Sequence, residues 1–256
     1  MNHLTLLTDF GYKDGFVGSM KGVIKKINPS VSIIDLSHEI DSFDILEASL
    51  ILNASFQYFP KYTIFVCVVD PGVGTEREAL IVKTQNYFFV VPNNGILTLP
   101  LKKEKVEKTI KITNSKFMLK TETQTFHGRD LFAPVAAFLS RGVSVEEFGE
   151  EFFEKNLVKL EFPEPEQKNG KIIGEIIRFD KFGNALTNIT KLPKKFKAKL
   201  KNYEIKKVCS NFLEGNKEKP NLIKGSFGFY EIFIPVGNAK EKFSLKKGDK
   251  IEIYKE

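Results

Sequence analysis

Between residues 4 and 69 the apolar pattern alternates between strand and helix periodicity, and this restricts the sheet the chain can build. Leu4-Thr5-Leu6-Leu7-Thr8 reads as a short strand ending at Asp9. Phe16, Met20, Val23, Ile24 and Ile27 then fall at helical spacing, and Asn28-Pro29 stops that helix. Val31 to Leu36 is a second strand, followed by Ser37-His38-Glu39. Ile45, Ala48, Leu52 and Phe56 mark a second helix ended by Pro60, and Ile64 to Val69 is a third strand. Strand, helix, strand, helix, strand predicts right-handed crossovers and a parallel sheet covered by helices.

Sheets of this kind collect ligands at the carboxyl ends of their strands. Asp9, the Asp35-to-His38 turn and Asp70 all fall there, so the pattern puts them along one edge. The third strand stops abruptly in Asp70-Pro71-Gly72-Val73-Gly74-Thr75-Glu76-Arg77. Two glycines allow backbone conformations closed to other residues, which can return Arg77 toward Asp70. Taken alone, the stretch reads first as a tight turn with one ion pair.

Further along, Ala79 to Thr84 and Tyr87 to Val91 form a predicted hairpin about Gln85-Asn86, and Pro92-Asn93-Asn94-Gly95 is a turn. Val106 to Ile112 is another strand. Thr125-Phe126-His127-Gly128-Arg129-Asp130 is a polar loop before an apolar helix, Leu131 to Leu139. Ser144-Val145-Glu146-Glu147 has capping-box spacing for a short helix. Phe162 to Gly170, rich in Pro, Gly and charge, divides the chain. The expected fold is an α/β catalytic domain over 1–162, a linker over 163–170, and a smaller all-β barrel over 171–256. Strands in the last part are predicted at Lys171–Phe179, Tyr203–Val208, Gly228–Ile234 and Lys250–Tyr254, with no strong helix between them.

A hydrophobic content of 42% supports a real core. The net charge of +7 comes from dispersed lysines, without an arginine stripe interleaved with aromatics, so a solvated surface is expected rather than a nucleic-acid footprint. Cys67 and Cys209 make neither a disulfide framework nor a zinc pattern. No apolar run approaches a membrane span and the first residues lack signal-peptide character, so the expected location is cytoplasmic, with no membrane partner.

Asp70, Arg77 and His127 form one candidate set. A guanidinium cannot act as a base, so beside a reacting centre Arg77 would hold a carboxylate or stabilise a water becoming hydroxide. By spacing alone, His127 is also explained as a solvated loop histidine. Phe182-Gly183-Asn184 joins an aromatic face to an amide, a pairing that suits a purine, though an Asn-capped turn accounts for it equally. Asp9 could bind ribose hydroxyls. Neither a Gly-x-Gly-x-x-Gly fingerprint nor a Walker motif occurs, which favours an uncharged or cationic nucleoside over a phosphorylated one.

Thr8-Asp9-Phe10-Gly11, Asp35-Leu36-Ser37-His38, Val69-Asp70-Pro71-Gly72-Val73-Gly74 with Arg77, Pro92-Asn93-Asn94-Gly95, Thr125 to Asp130, Phe182-Gly183-Asn184 with Thr187-Asn188, and Ser226 with Gly237-Asn238-Ala239 occur in this order. Together they resemble the S-adenosyl-L-methionine (SAM) hydroxide adenosyltransferases, adenosine-forming SAM hydrolases related to the SAM-dependent fluorinase and chlorinase. The resemblance runs from about residue 4 to residue 254. It implies trimers with SAM bound between the N-domain of one subunit and the C-domain of its neighbour. Water or hydroxide attacks the ribose C5′ and releases L-methionine and adenosine. Asp70, Arg77 and His127 match the triad that holds the nucleophilic water, and Asp9 matches the ribose-binding aspartate. Phe182 and Asn184 match adenine contacts, and Ser226 lies toward the methionine end. No metal or cofactor beyond the substrate is implied.

Two positions depart or stay open. Ile234-Pro235-Val236 stands where the family segment usually ends in Asn, which puts backbone recognition at Val236 in question because Pro235 has no N–H. Glu231 could meet the methionine ammonium or be a strand-surface glutamate. The halogenases resemble this loop but carry Tyr where His127 stands, and the fluorinase has Ser where Gly128 stands; His127 therefore points to hydrolysis. The alternatives are a chlorinase-like halogenase, a metal-dependent hydrolase using Asp9, Asp35, His38, Asp70 and His127, and a nucleic-acid-binding protein acting through a basic C-terminal barrel.

Overall fold

The structure, a computed structural model, describes residues 3–255. The chain divides into two compact units between Leu160 and Glu161. The first unit contains β1 (His3–Thr8), α1 (Phe16–Ile27), β2 (Ser32–Ser37), α2 (Ile45–Ser55), β3 (Ile64–Val68), β4 (Ala79–Thr84), β5 (Phe88–Pro92), β6 (Val106–Ile112), α3 (Ala133–Ser140) and β7 (Gly149–Glu151). Its seven-stranded sheet has the order β2-β1-β3-β5-β4-β6-β7. Pairing is parallel from β2 through β1 and β3 to β5, and antiparallel from there to β7.

β3 shows why the sheet is covered on both faces. All five of its residues are buried, as a continuous apolar run in a parallel sheet requires. Ile64, Val66 and Val68 belong to a core shared with Met20 and Ile24 of α1 and with α3, whereas Phe65 and Cys67 belong to a second core with Ala48 and Leu52 of α2. Alternation along the strand thus divides the helices: α1 and α3 on one face, α2 on the other. Asp44 caps α2, accepting from Glu47 N at 2.8 Å.

Register sets the functional edge. Thr8 pairs with Val68 and Leu7 with Ser37, so Asp9, His38 and Asp70 leave neighbouring parallel strands at one end, as the sequence predicts. Asp35 itself lies inside β2, opposite Leu6. The helix expected at 131–139 begins earlier and differently: Gly128–Phe132 form a π-helical turn that runs into α3. Ser144 precedes a 3-10 turn, Val145–Phe148, but its hydroxyl bonds the Glu146 carboxylate instead of capping the backbone.

The second unit contains β8 (Glu166–Lys168), β9 (Lys171–Phe179), β10 (Ala185–Thr187), β11 (Phe196–Leu200), β12 (Tyr203–Ile205), β13 (Val208–Cys209), β14 (Asn221–Lys224), β15 (Tyr230–Phe233), α4 (Ala239–Lys242) and β16 (Lys250–Lys255). The segment expected as a linker carries β8, paired antiparallel with β9. Nine strands follow the order β12-β11-β16-β9-β10-β15-β14-β13 with β8 beside β9, antiparallel except for β13 on β14. One core takes Ile205 from β12 and Leu222 from β14, near opposite ends of that order, so the mixed sheet curls around it. The short α4 also packs there through Ala239. Among the described residues no helix is long and apolar enough to cross a membrane.

Candidate active site

Asp70 and Arg77 close the loop between β3 and β4. Thr75 N and Thr75 Oγ1 donate to Gly72 O at 3.2 and 2.7 Å, which tightens the turn. Gly74 takes a left-handed φ of 78°, and a Cβ there would stand 3.2 Å from Gln124 O, so glycine allows this loop to lie against the 120s segment. Arg77 grips Asp70 with two bonds, Nε to Oδ1 at 3.1 Å and Nη2 to Oδ2 at 2.5 Å. Both side chains are deeply buried, at 9% and 4% exposure, where a bidentate charged pair is strongest.

His127 enters from the far side of the sequence. It immediately precedes the π-helical turn, a local widening often found at functional sites. Its Nδ1 lies 3.2 Å from Arg77 Nη2. A guanidinium only donates, so Nδ1 is the acceptor and the neutral ring carries its proton on Nε2. Burial, reinforced by the Arg77 charge, lowers the His127 pKa and keeps the ring neutral. Arg77 Nη1 is buried and has no hydrogen-bond partner among the described residues, while the guanidinium carbon lies 5.4 Å from the Phe132 ring centre. Among the described residues this trio therefore offers two donors without partners, Arg77 Nη1 and His127 Nε2–H, while its one carboxylate is taken up by Arg77.

Asp9 is half-buried at the same sheet edge, with Oδ2 accepting from Phe43 N at 2.9 Å. Phe10 packs edge-on against Phe126 at 5.7 Å, joining the Asp9 loop to the segment that carries His127. The ligand set of a metal-hydrolase reading is otherwise engaged: Asp70 on Arg77, His38 on Thr8 and His127 on Arg77. Among the described residues, only Asp41, Asp44 and Glu47 bring three such ligand atoms within 4.8 Å of one another, and none of them is in that set.

The second unit gathers its candidates in one groove of about 810 Å³, lined by Phe182, Asn184, Ser226, Glu231 and Val236. Asp180 builds the Phe182–Asn184 loop: Oδ1 accepts from Phe182 N and Asn184 N, and Oδ2 from Asn184 Nδ2, at 2.8 to 2.9 Å. This pins the Asn184 amide and leaves Phe182 72% exposed. Gly183 has a φ of 81°, and a Cβ on it would meet Asn238 Oδ1 at 1.9 Å. A Cβ on Gly225 would collide with the Glu231 carboxylate at 1.8 Å, so that glycine makes room for the acid. Burial, then the charge of Asp180, pushes the Glu231 pKa up to about 7. Val236 is 84% exposed and holds a φ of 52°, a conformation strained for a β-branched residue. Asp180, Arg178 and Phe227 also line the groove, with the Arg178 guanidinium 5.6 Å from the Phe227 ring centre. Sequence reasoning marked the loops that hold Asp180 and Phe227 as unusual without giving either residue a role, and it missed Arg178. Asp180 carried a usable signal, since an Asp placed before a Gly turn commonly bonds the backbone two residues on.

The two units correspond to two known domains. Residues 4–149 match the SAM hydroxide adenosyltransferase N-terminal domain and residues 174–252 the corresponding C-terminal domain. The chain is 34% identical to an (R)-S-adenosyl-L-methionine hydrolase of Methanocaldococcus jannaschii over 98% of its length and 95% of that protein's. It is 30% identical to one of Thermus thermophilus, covering 99% of this chain and all of the other. The crystal structure of an uncharacterized conserved protein from Thermotoga maritima superimposes with a TM-score of 0.88 at 37% identity, over 98% of this chain and 100% of that one. The matched domains and the identity to these relatives make the chain a member of the SAM hydroxide adenosyltransferase family.

Proposed function

We infer that the chain hydrolyses S-adenosyl-L-methionine to adenosine and L-methionine, water or hydroxide attacking the ribose C5′. The observation that carries this reading is the buried Asp70–Arg77–His127 contact chain with Arg77 Nη1 unpartnered. A sulfonium departs as a neutral thioether, so the leaving group needs no acid. What remains is to align an oxygen nucleophile behind C5′ and to stabilise its negative character. Arg77 Nη1 and His127 Nε2–H supply two donors for that oxygen, and Asp70 holds the guanidinium in register. A general base at His127 would need the other tautomer, which would turn Nδ1–H against an Arg77 N–H. His127 therefore works as a donor, and the proton of an attacking water passes to solvent.

In the same reading Asp9 takes the ribose hydroxyls. Phe182 stacks on adenine and Asn184 offers Oδ1 to its amino group, with Val236 beside that end. Ser226 and Glu231 receive the methionine end, Glu231 as partner of the ammonium. SAM is the substrate and no metal or cofactor takes part. The curled C-terminal sheet is taken as the family's β-barrel, the assembly as a homotrimer whose sites combine neighbouring subunits, and the location as cytoplasmic, without nucleic-acid or membrane partners. The test is to incubate pure protein with SAM, excess chloride and ¹⁸O-labelled water and to identify the products. Labelled adenosine is expected; 5′-chloro-5′-deoxyadenosine would assign halogenation instead, and unchanged SAM would overturn both.

A further inference from the structure

His38 is 1% exposed, yet it is not part of the Arg77 cluster. It sits just beyond β2, and its ring is held in a polar chain at the sheet edge. Nδ1 lies 2.7 Å from the hydroxyl of Thr8, which is itself fully buried as the last residue of β1. That hydroxyl accepts from Phe10 N at 3.2 Å, bracketing Asp9 in a short side-chain-closed turn. His38 also acts through its backbone, its carbonyl accepting from Gly11 N at 2.8 Å. On its other side Nε2 lies 3.2 Å from Asp35 Oδ1, a slanted contact rather than an aligned hydrogen bond. Asp35 Oδ2 is held by Lys21 Nζ at 2.6 Å and the Tyr12 hydroxyl at 3.1 Å, and the Tyr12 ring stands edge-on to the imidazole at 5.2 Å.

The arrangement in which the Thr8 hydroxyl donates to Nδ1 while accepting from Phe10 N leaves Nε2–H on the Asp35 side. An apolar side chain would fill this space without the cost of burying two polar ones. The chain is explained by what it restrains: both ends of the loop Thr8-Asp9-Phe10-Gly11 are tied to one residue, His38. The next loop supplies the remaining tie, Phe43 N to Asp9 Oδ2, from a residue with a left-handed φ of 66°. Asp9 Oδ1 is left without a partner among the described residues.

We propose that His38 is a positioning residue for Asp9, holding the Thr8–Gly11 loop so that one carboxylate oxygen rests on Phe43 N–H and the other is presented to a vicinal diol of the substrate. This rests on the reading that Asp9 receives the ribose. The imidazole touches no substrate in this role; the ring acts through Thr8, and the backbone carbonyl of the same residue holds Gly11.

The test compares binding of adenosine and of 2′,3′-dideoxyadenosine by calorimetry, using the full chain and the variants Thr8→Val, His38→Leu, Thr8→Ser and His38→Asn. Hydrogen bonds to a charged acceptor predict that the unaltered protein prefers adenosine by about tenfold to a hundredfold. Thr8→Val and His38→Leu are expected to reduce that preference to about twofold while leaving dideoxyadenosine binding unchanged. Thr8→Ser, which keeps the hydroxyl, and His38→Asn, which keeps an acceptor near Nδ1, should retain it. Equal weakening of both ligands would show a merely structural role and overturn the proposal, as would a preference that survives in both loss variants. A protein that hydrolyses SAM but shows no preference would overturn the Asp9 assignment, and the proposal with it, while leaving the hydrolase reading in place. Failure to hydrolyse SAM would instead remove the reading on which the proposal rests.

Discussion

His127→Ala should slow hydrolysis at saturating SAM by about 10²–10³-fold, the usual cost of losing one preorganised donor, while SAM binding stays largely intact. Arg77→Ala should do the same and additionally destabilise the fold by about 3–5 kcal/mol, because Asp70 would be left buried without its partner. Single-turnover rates beside calorimetric SAM titrations decide it: lost binding with an unchanged chemical step would refute the triad assignment. Glu231 gives a prediction with a definite sign. Its raised pKa makes it neutral below about 7 and anionic above. Only the anion attracts an ammonium, so KM for SAM should fall as pH rises through about 7, and Glu231→Gln should flatten that dependence. The folded state holds this proton where the unfolded chain has released it. Stability contributed by the neutral acid is therefore lost as pH rises between the ordinary 4.5 and about 7, and Glu231→Gln should melt higher than the parent above that window.

Among elements, the turn at Ile234-Pro235-Val236 carries a cost with no compensating packing. Val236 is exposed yet left-handed, so Val236→Asn or Val236→Gly should stabilise the protein by about 1 kcal/mol, or about 2–4 °C in thermal denaturation. Other elements differ in how openly the sequence announced them. β1 and β3 were legible as strands rich in apolar residues, α1 by its helical apolar spacing, and the Asp70–Arg77 contact because two glycines mark the return of the chain. β10, β11 and β14 were not: they are five residues or shorter, β11 is interrupted by two lysines, and all three are fixed by pairing with β9, β15 and β16 rather than by their own pattern. His127 was a candidate that spacing could not separate from a solvated loop histidine, because its meeting with Arg77, fifty positions away, is made by the fold. The ordered set of motifs favoured the first reading.

For the whole molecule, each unit has core clusters of its own, and the proposed chemistry draws on both units. If sites form between neighbouring subunits, sedimentation should give three times the chain mass of 29.1 kDa. A sharper measurement mixes two defective proteins, Arg77→Ala and Asn184→Ala, after dissociating and reassembling them. Mixed trimers contain some sites with both units intact, so activity should reappear; no recovery from verified mixed trimers would place each site within one subunit. The net charge of +7 predicts no salt-sensitive association with single strands if the lysines are only a solvated surface, which a titration at low salt checks.

Gly128 limits how such a protein could change trade. A Cβ on it would stand 2.9 Å from the Phe126 ring, 3.0 Å from that of Phe10 and 3.3 Å from Met20 Sδ. The serine that the fluorinase resemblance places at this position therefore requires the Phe126 ring to shift and Phe10 and Met20 to give way. Any substitution at Gly128 is thus coupled to the aromatic cluster of Phe10, Phe16 and Phe126, and a change of nucleophile made through this position has to be accommodated there as well.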